Sequence, residues 1–245
     1  MFNKILLALA ILLFSSNSVL AQKTIVFAVP ATVPPMAFIA EDGQLAGYSV
    51  DYVKAMAEAA GFTPVLKNVP WSGIFAGLVG GKYDAIIGAV SITEKRKKVV
   101  AFSEPYFHAW QALAVPRKSS VKNLGDLKGE QVGGKLGSTG FFVIKNTPGI
   151  KYEGYAEVSL LMEALNTGHV AAIVYDHPQV SHYIKTLYPD TLKITSMVDT
   201  ANKDDYGIAV KKGNSEVLEL LNKGIQAVQD SSLDKKIDQK WLGNN

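Results

Sequence analysis

From Asp84 to Val99 the chain reads Asp84-Ala-Ile-Ile-Gly-Ala-Val-Ser91-Ile-Thr93-Glu-Lys-Arg96-Lys-Lys-Val. An apolar run short enough for a strand, Ala85 to Val90, ends in small residues and passes directly into a charged helix start. Ser91 and Thr93 carry hydroxyls that can cap that helix, and Arg96 stands one turn inside it. A small anion at the join would meet free backbone N–H groups and a guanidinium fork together. The fork fits a planar carboxylate better than any lysine could. The same residues equally describe an ordinary strand-to-helix join with a solvated basic face.

The elements that must position this join alternate along the chain. Thr24 to Val29 reads as a strand, followed by a Pro-rich loop from Pro30 to Phe38 that cannot be helical. Ser49 caps a helix that carries Val50, Val53, Ala57 and Ala60 on one side and stops at Gly61. Trp71, Ile74, Phe75, Leu78 and Val79 recur at helical spacing before Gly80-Gly81. After Gln111 to Val115 the pattern restarts. Val132 to Lys135 is a strand, Gly137-Ser-Thr-Gly140 a turn into a helix, Glu157 to Thr167 a further helix, and Val170 to Tyr175 a buried strand ending at Asp176. Two α/β units with parallel strands therefore lie in tandem. Beyond them come a short strand, Tyr206 to Val210, a helix from about Asn214 to Gln229 and an amphipathic helix ending near Trp241. Neither unit obviously owns this C-terminal piece, which suggests a discontinuous domain.

Lys4, the apolar Ile5 to Phe14 and the small-residue pattern Val19-Leu20-Ala21 read as a signal peptide over residues 1–21. That apolar stretch is shorter than a spanning helix needs, so export is expected and not membrane insertion. The chain of 245 residues has no cysteine, so neither a disulfide nor lipid attachment through an N-terminal Cys contributes. A net charge of +3, of which Lys4 supplies one, is far from the density that argues for nucleic acid.

Enzyme signatures fail on inspection. There is no cysteine nucleophile and no His-Glu-x-x-His pair, and His108, His169, His177 and His182 lack metal spacing. Gly80-Gly81-Lys82 continues with Tyr83 where a phosphate loop needs Ser or Thr, and it follows a helix instead of a strand. Gly134, Gly137 and Gly140 lack the dinucleotide spacing. No cofactor is expected.

Several ordered motifs carry a resemblance over the whole mature chain. They are Gly47-Tyr-Ser-Val-Asp51, Trp71-Ser-Gly-Ile, Tyr83-Asp84, Ser91-Ile-Thr93-Glu-Lys-Arg96, Phe102-Ser-Glu-Pro-Tyr106, Asn123-Leu-Gly-Asp-Leu-Lys-Gly129, Lys135-Leu-Gly-Ser-Thr139, Tyr175-Asp176 and Tyr206-Gly-Ile-Ala-Val210. Each is weak alone; together and in order they resemble the periplasmic solute-binding proteins of family 3, the polar amino acid receptors of ABC importers. The resemblance implies a type II periplasmic binding protein fold, an α/β architecture of two Rossmann-like lobes joined by two crossing strands. Lobe 1 would comprise residues 22–110 and 205–245, and lobe 2 residues 111–204. It also implies a monomer that captures a free amino acid between its lobes and delivers it to an inner-membrane permease.

Carried over residue by residue, Arg96 binds the ligand's α-carboxylate with the backbone N–H groups of Ser91 and Thr139. Asp176 accepts the α-ammonium, with the carbonyl of Ala89 and the Ser91 hydroxyl, and Tyr175 precedes it in the matching motif. Independent chemistry agrees, because a zwitterion needs one fixed cation and one fixed anion, and both candidates stand at strand ends. Trp71 is implied to stack on the aliphatic part of the ligand, although its spacing also fits a core role. Lys135 either reaches the ligand side chain or is a surface lysine. Asp176 can also cap the helix ahead of Pro178. Lys95 to Lys98 reads as a solvated face, and Phe107 to Trp110 as hinge packing.

Related receptors often carry an acidic or aromatic residue after the first strand, whereas this loop offers Pro30, Val33, Pro35 and Met36. It supplies no carboxylate for a cationic side chain, so arginine, lysine and ornithine are not expected to be the best ligands. Ser49, where the family pattern has aspartate, is expected to affect only the helix start. Two alternatives share the fold: a secreted cyclohexadienyl dehydratase, which needs a cleft carboxylic acid held protonated, and an amino acid sensor without transport function.

Overall fold

The computed structural model describes residues 22–200 and 204–243; the expected signal peptide lies outside the described residues. Two five-stranded sheets organise the molecule. The first runs Phe62–Asn68, Lys23–Val29, Ala85–Ile86, Ala209–Lys211 and Val100–Phe102 in spatial order. Its first three strands are parallel, and Ala209–Lys211 lies antiparallel between its two neighbours. The second runs Lys151–Tyr155, Gln131–Lys135, Ala172–Asp176, Gln111–Pro116 and Leu192–Val198. It too mixes parallel pairs with an antiparallel strand, Gln111–Pro116.

The chain passes between the sheets twice, at 103–110 and again at 199–208, of which 201–203 are not described. The two passages are stitched together. Phe107 and Tyr206 form an antiparallel bridge, and the Tyr206 N–H donates to the Phe107 carbonyl at 2.8 Å. Their rings stack at 5.5 Å. Phe107 thus packs between the two crossings, whereas Trp110 is 55% exposed.

Several elements differ from the sequence expectation for physical reasons. The helix at 49 begins at Tyr48, and its N-cap is Gly47 at φ 124. A Cβ at Gly47 would stand 2.5 Å from the Met36 carbonyl oxygen, so only glycine permits that approach. Ser49 is therefore no cap; its buried hydroxyl meets the Tyr106 hydroxyl at 2.9 Å. The second helix spans Ile74–Val79, leaving Trp71 in the preceding turn, whose carbonyl accepts from the Ile74 N–H. Of the apolar run Ala85 to Val90, only Ala85–Ile86 pairs, because the backbone turns through positive φ at Gly88 and Ala89. The last strand is likewise Ala209–Lys211, with Tyr206 contributing isolated bridges only.

The terminal helix Leu233–Leu242 is fastened back to the first unit. Asp51 accepts from Lys240 Nζ at 2.7 Å and from Trp241 Nε1 at 2.8 Å. The Trp241 ring meets Phe38 edge-on at 5.7 Å. Phe38 pairs with Thr32 in the small hairpin whose next residue, Val33, lines the candidate site.

Candidate functional site

All eight residues singled out from the sequence line one narrow pocket between the two sheets: Trp71, Ala89, Ser91, Arg96, Lys135, Thr139, Tyr175 and Asp176. Each arrives there by a local device. Thr93 caps the four-residue helix Glu94–Lys97, its Oγ1 accepting from the Arg96 N–H at 3.2 Å. That cap turns the Arg96 side chain back toward the strand end, where it donates to the Ser91 carbonyl at 2.7 Å. Ser138 caps Thr139–Lys145 in the same manner, accepting from Phe141 N–H at 3.2 Å. Ala89 takes φ 55, the one described non-glycine residue at positive φ. Such a conformation costs roughly 1 kcal/mol or more and collects at ligand sites.

Two side-chain hydrogen bonds cross directly between the units at the pocket among the described residues. Arg96 donates to the Gly137 carbonyl at 3.3 Å, and the Thr139 hydroxyl donates to Ser91 Oγ at 3.3 Å. Beside them Lys95 Nζ sits 4.3 Å from the centroid of the Phe142 ring, so one member of the expected solvated face also reaches the second unit.

Trp71 forms an aromatic wall. The Arg96 guanidinium lies 5.2 Å and Lys135 Nζ 5.7 Å from its ring centroid, within cation–π range. Lys135 is only 2% exposed, which removes the surface-lysine reading. Burial pulls its ammonium below the usual lysine range, with Glu157 and Asp176 opposing. Burial likewise lowers the Arg96 guanidinium from its ordinary value, countered first by Asp176. An arginine starts so high that it stays charged at neutral pH.

Asp176 is buried and caps nothing, despite preceding the helix His177–Leu187. Its carboxylate instead accepts from Gln111 Nε2 and, at 2.7 Å, from the Tyr206 hydroxyl. Burial raises its pKa; the Tyr206 and Gln111 hydrogen bonds, then Arg96 and Lys135, pull it back. The pocket thus offers a guanidinium and an ammonium on one side of the balance and a single carboxylate on the other.

Sequence reasoning missed three residues here. Gln111 is a lone amide heading an apolar strand, and it holds Asp176 from 65 positions away. Tyr206 lay inside a matched motif without a role. Asp204 is buried beside them, accepting from Thr200 at 3.0 Å, and burial followed by the nearby Asp176 charge pushes its pKa up to about 6. The ordinary aspartate value lies near 4, so the folded protein binds the extra proton and loses stability as pH rises between about 4 and 6. The deficit persists above that window. Asp204→Asn is therefore expected to stabilise the ligand-free protein at pH 7.5 by about 1 to 3 kcal/mol, with the gain vanishing below about pH 4. Thermal unfolding across pH checks this; an equal effect at both ends would refute the assignment.

Among the described residues no group of His, Cys, Asp and Glu side chains could hold a metal ion. His108 pairs with Asp205 at 2.7 Å and His169 with Glu153 at 3.2 Å.

Residues 25–244 match the family of bacterial extracellular solute-binding proteins, family 3. The L-cystine-binding protein TcyJ of Escherichia coli (strain K12) is 30% identical over 230 residues, covering 93% of this chain and 85% of that protein. A probable histidine-binding protein of Neisseria gonorrhoeae is 31% identical over 216 residues, covering 86% and 80%. Among solved structures, an ancestral arginine-binding protein bound to arginine superposes with a TM-score of 0.84 at 38% identity, covering 91% of this chain and 99% of that one. The same ancestral protein bound to glutamine gives 0.82.

Proposed function

The chain belongs to the bacterial extracellular solute-binding proteins, family 3, and from that premise we propose that it is a periplasmic amino acid receptor of an ABC importer. Two lobes, one of residues 22–110 and 205–245 and the other of residues 111–204, close on one ligand. The observation that carries the reading is the pairing, in one buried pocket, of the Arg96 fork with the single carboxylate of Asp176. Arg96 takes the α-carboxylate together with the backbone N–H groups of Ser91 and Thr139. Asp176 takes the α-ammonium, helped by the Ala89 carbonyl, which the positive φ of Ala89 accompanies. Trp71 covers the aliphatic part.

Closure follows from geometry. The carboxylate site draws on both units, so a ligand can satisfy all its partners only when the units meet, and it stabilises the closed arrangement by that difference. The closed form presents both lobes to the permease, which completes the delivery step.

The side chain of the ligand faces Lys135 and Trp71. Among the described residues Asp176 is the only acidic one lining the pocket, and Glu157, which opposes Lys135 electrostatically, does not line it. A cationic side chain would meet Lys135 without a counter-charge of its own. The ligand is therefore a neutral L-amino acid whose side chain can accept a hydrogen bond from Lys135; the 38%-identical ancestral protein is also solved bound to glutamine.

The test is thermal unfolding of protein refolded from denaturant, with each of the twenty amino acids, cystine, ornithine and prephenate. A ligand at about 100 times its dissociation constant adds roughly 2.7 kcal/mol of stability. A shift with one or a few neutral amino acids is expected. Arginine binding more tightly than every neutral amino acid would overturn the specificity, and a response to prephenate alone would overturn the function.

A further inference from the structure

We infer that Tyr206 is the positioning residue of ammonium recognition, fastening the Asp176 carboxylate of one unit to the hinge between both. The inference rests on the reading of Asp176 given above and extends it to a residue that touches no ligand. Three observations converge. The Tyr206 hydroxyl donates to Asp176 Oδ2 at 2.7 Å, and the ring is fully buried. Its backbone is bridged to Phe107 of the other crossing and to Ser91 of the carboxylate site. Its ring stacks on Phe107, which in turn meets Tyr48 edge-on at 5.1 Å.

Tyr206 is thereby held from both crossings and from the first unit, while its one polar atom points at the second. A carboxylate in an apolar interior cannot stay ionised and correctly aimed without donors. Donors to Asp176 come from Gln111 and Tyr206 alone among the described hydrogen bonds. The remaining charged and titratable groups facing it are Arg96, Lys135, Tyr175 and Asp204. Gln179 Oε1, on the helix that follows Asp176, lies 3.4 Å from the Tyr206 hydroxyl, so the single phenol proton goes to the nearer Asp176 oxygen. Asp176 therefore gains its orientation from Gln111 of its own sheet and from Tyr206 at the hinge.

Carbon-13 carboxyl NMR of the refolded, ligand-free protein tests this without needing a ligand, with Asp176→Asn identifying the resonance. Tyr206→Phe keeps the ring and its stacking and removes only the hydroxyl. The Asp176 titration midpoint is expected to rise by about one pH unit, the tenfold expected for one hydrogen bond to a charged group. In the unmodified protein the Tyr206 Cζ resonance should inflect at the Asp176 midpoint, a readout that requires no variant to fold. An unchanged midpoint in Tyr206→Phe, or a Cζ that does not follow Asp176, overturns the inference. Amino acid binding that survives Asp176→Asn would instead overturn the function reading and leave the titration result standing.

Discussion

Arg96→Ala is expected to lower amino acid affinity by about 2 to 5 kcal/mol, because the ligand's carboxylate would remain buried with its principal cation gone. Calorimetric titration measures the loss directly. The size follows from the place Arg96 holds: half-buried, over the faces of Trp71 and Phe75 at 5.2 and 5.3 Å, and aimed across the boundary at Gly137. Arg96→Lys is the informative companion. It keeps the charge and loses the planar fork and the stacking, so it should recover only part of the affinity. Recovery to the original affinity would show that charge alone is recognised and that the geometric account of the fork is wrong.

The second large effect is on folding. Gly140 lies at the point where the helix Thr139–Lys145 meets the strand Ala172–Asp176, and a Cβ there would stand 2.4 Å from the Val174 carbonyl oxygen and 2.6 Å from Gln111 Oε1. The first of these is backbone in a central strand and cannot swing aside. Gly140→Ala must then lift the helix from the sheet, at a cost of about 3 kcal/mol, toward the upper end for overpacked sites. Denaturant unfolding measures it. Because the lifted helix carries Thr139 and its neighbour strand carries Asp176, ligand affinity should fall in the protein that remains folded. An Ala variant as stable as the parent would mean that the helix does not pack as closely as described.

What could be read in the sequence divides by range. The helix start from Ser91 to Arg96 was legible because its logic is local: a hydroxyl caps and an arginine follows one turn later, whereas the strand before it stops at Ile86. Asp176 at the end of an apolar run was legible for the same reason, as was the Ser138 turn. Ser49 misled because its role is tertiary. The hydroxyl looks like a cap, yet Gly47 opens the helix under the pressure of Met36, and Ser49 answers Tyr106 across 57 positions.

The support beneath Asp176 was illegible on similar grounds. Gln111 and Tyr206 reach it over separations of 65 and 30 residues, and nothing in their neighbourhoods distinguishes them from strand residues. The strand Leu192–Val198 escaped notice because it is an edge with a register shift between Ile194 and Ser196, which blurs the alternation that marks a strand. Lys135 stood between two readings, and its burial removes the surface one.

One measurement bears on the central claim more directly than the rest: calorimetric titration of the refolded protein with its best amino acid, with the amine left by removing the α-carboxylate, and with the α-hydroxy acid that replaces the ammonium. Recognition of a zwitterion by Arg96 and Asp176 predicts that each analogue loses at least about a hundredfold in affinity, since each leaves one buried charge unpaired. An analogue that binds as tightly as the amino acid would contradict the claim that both charges are read in this pocket.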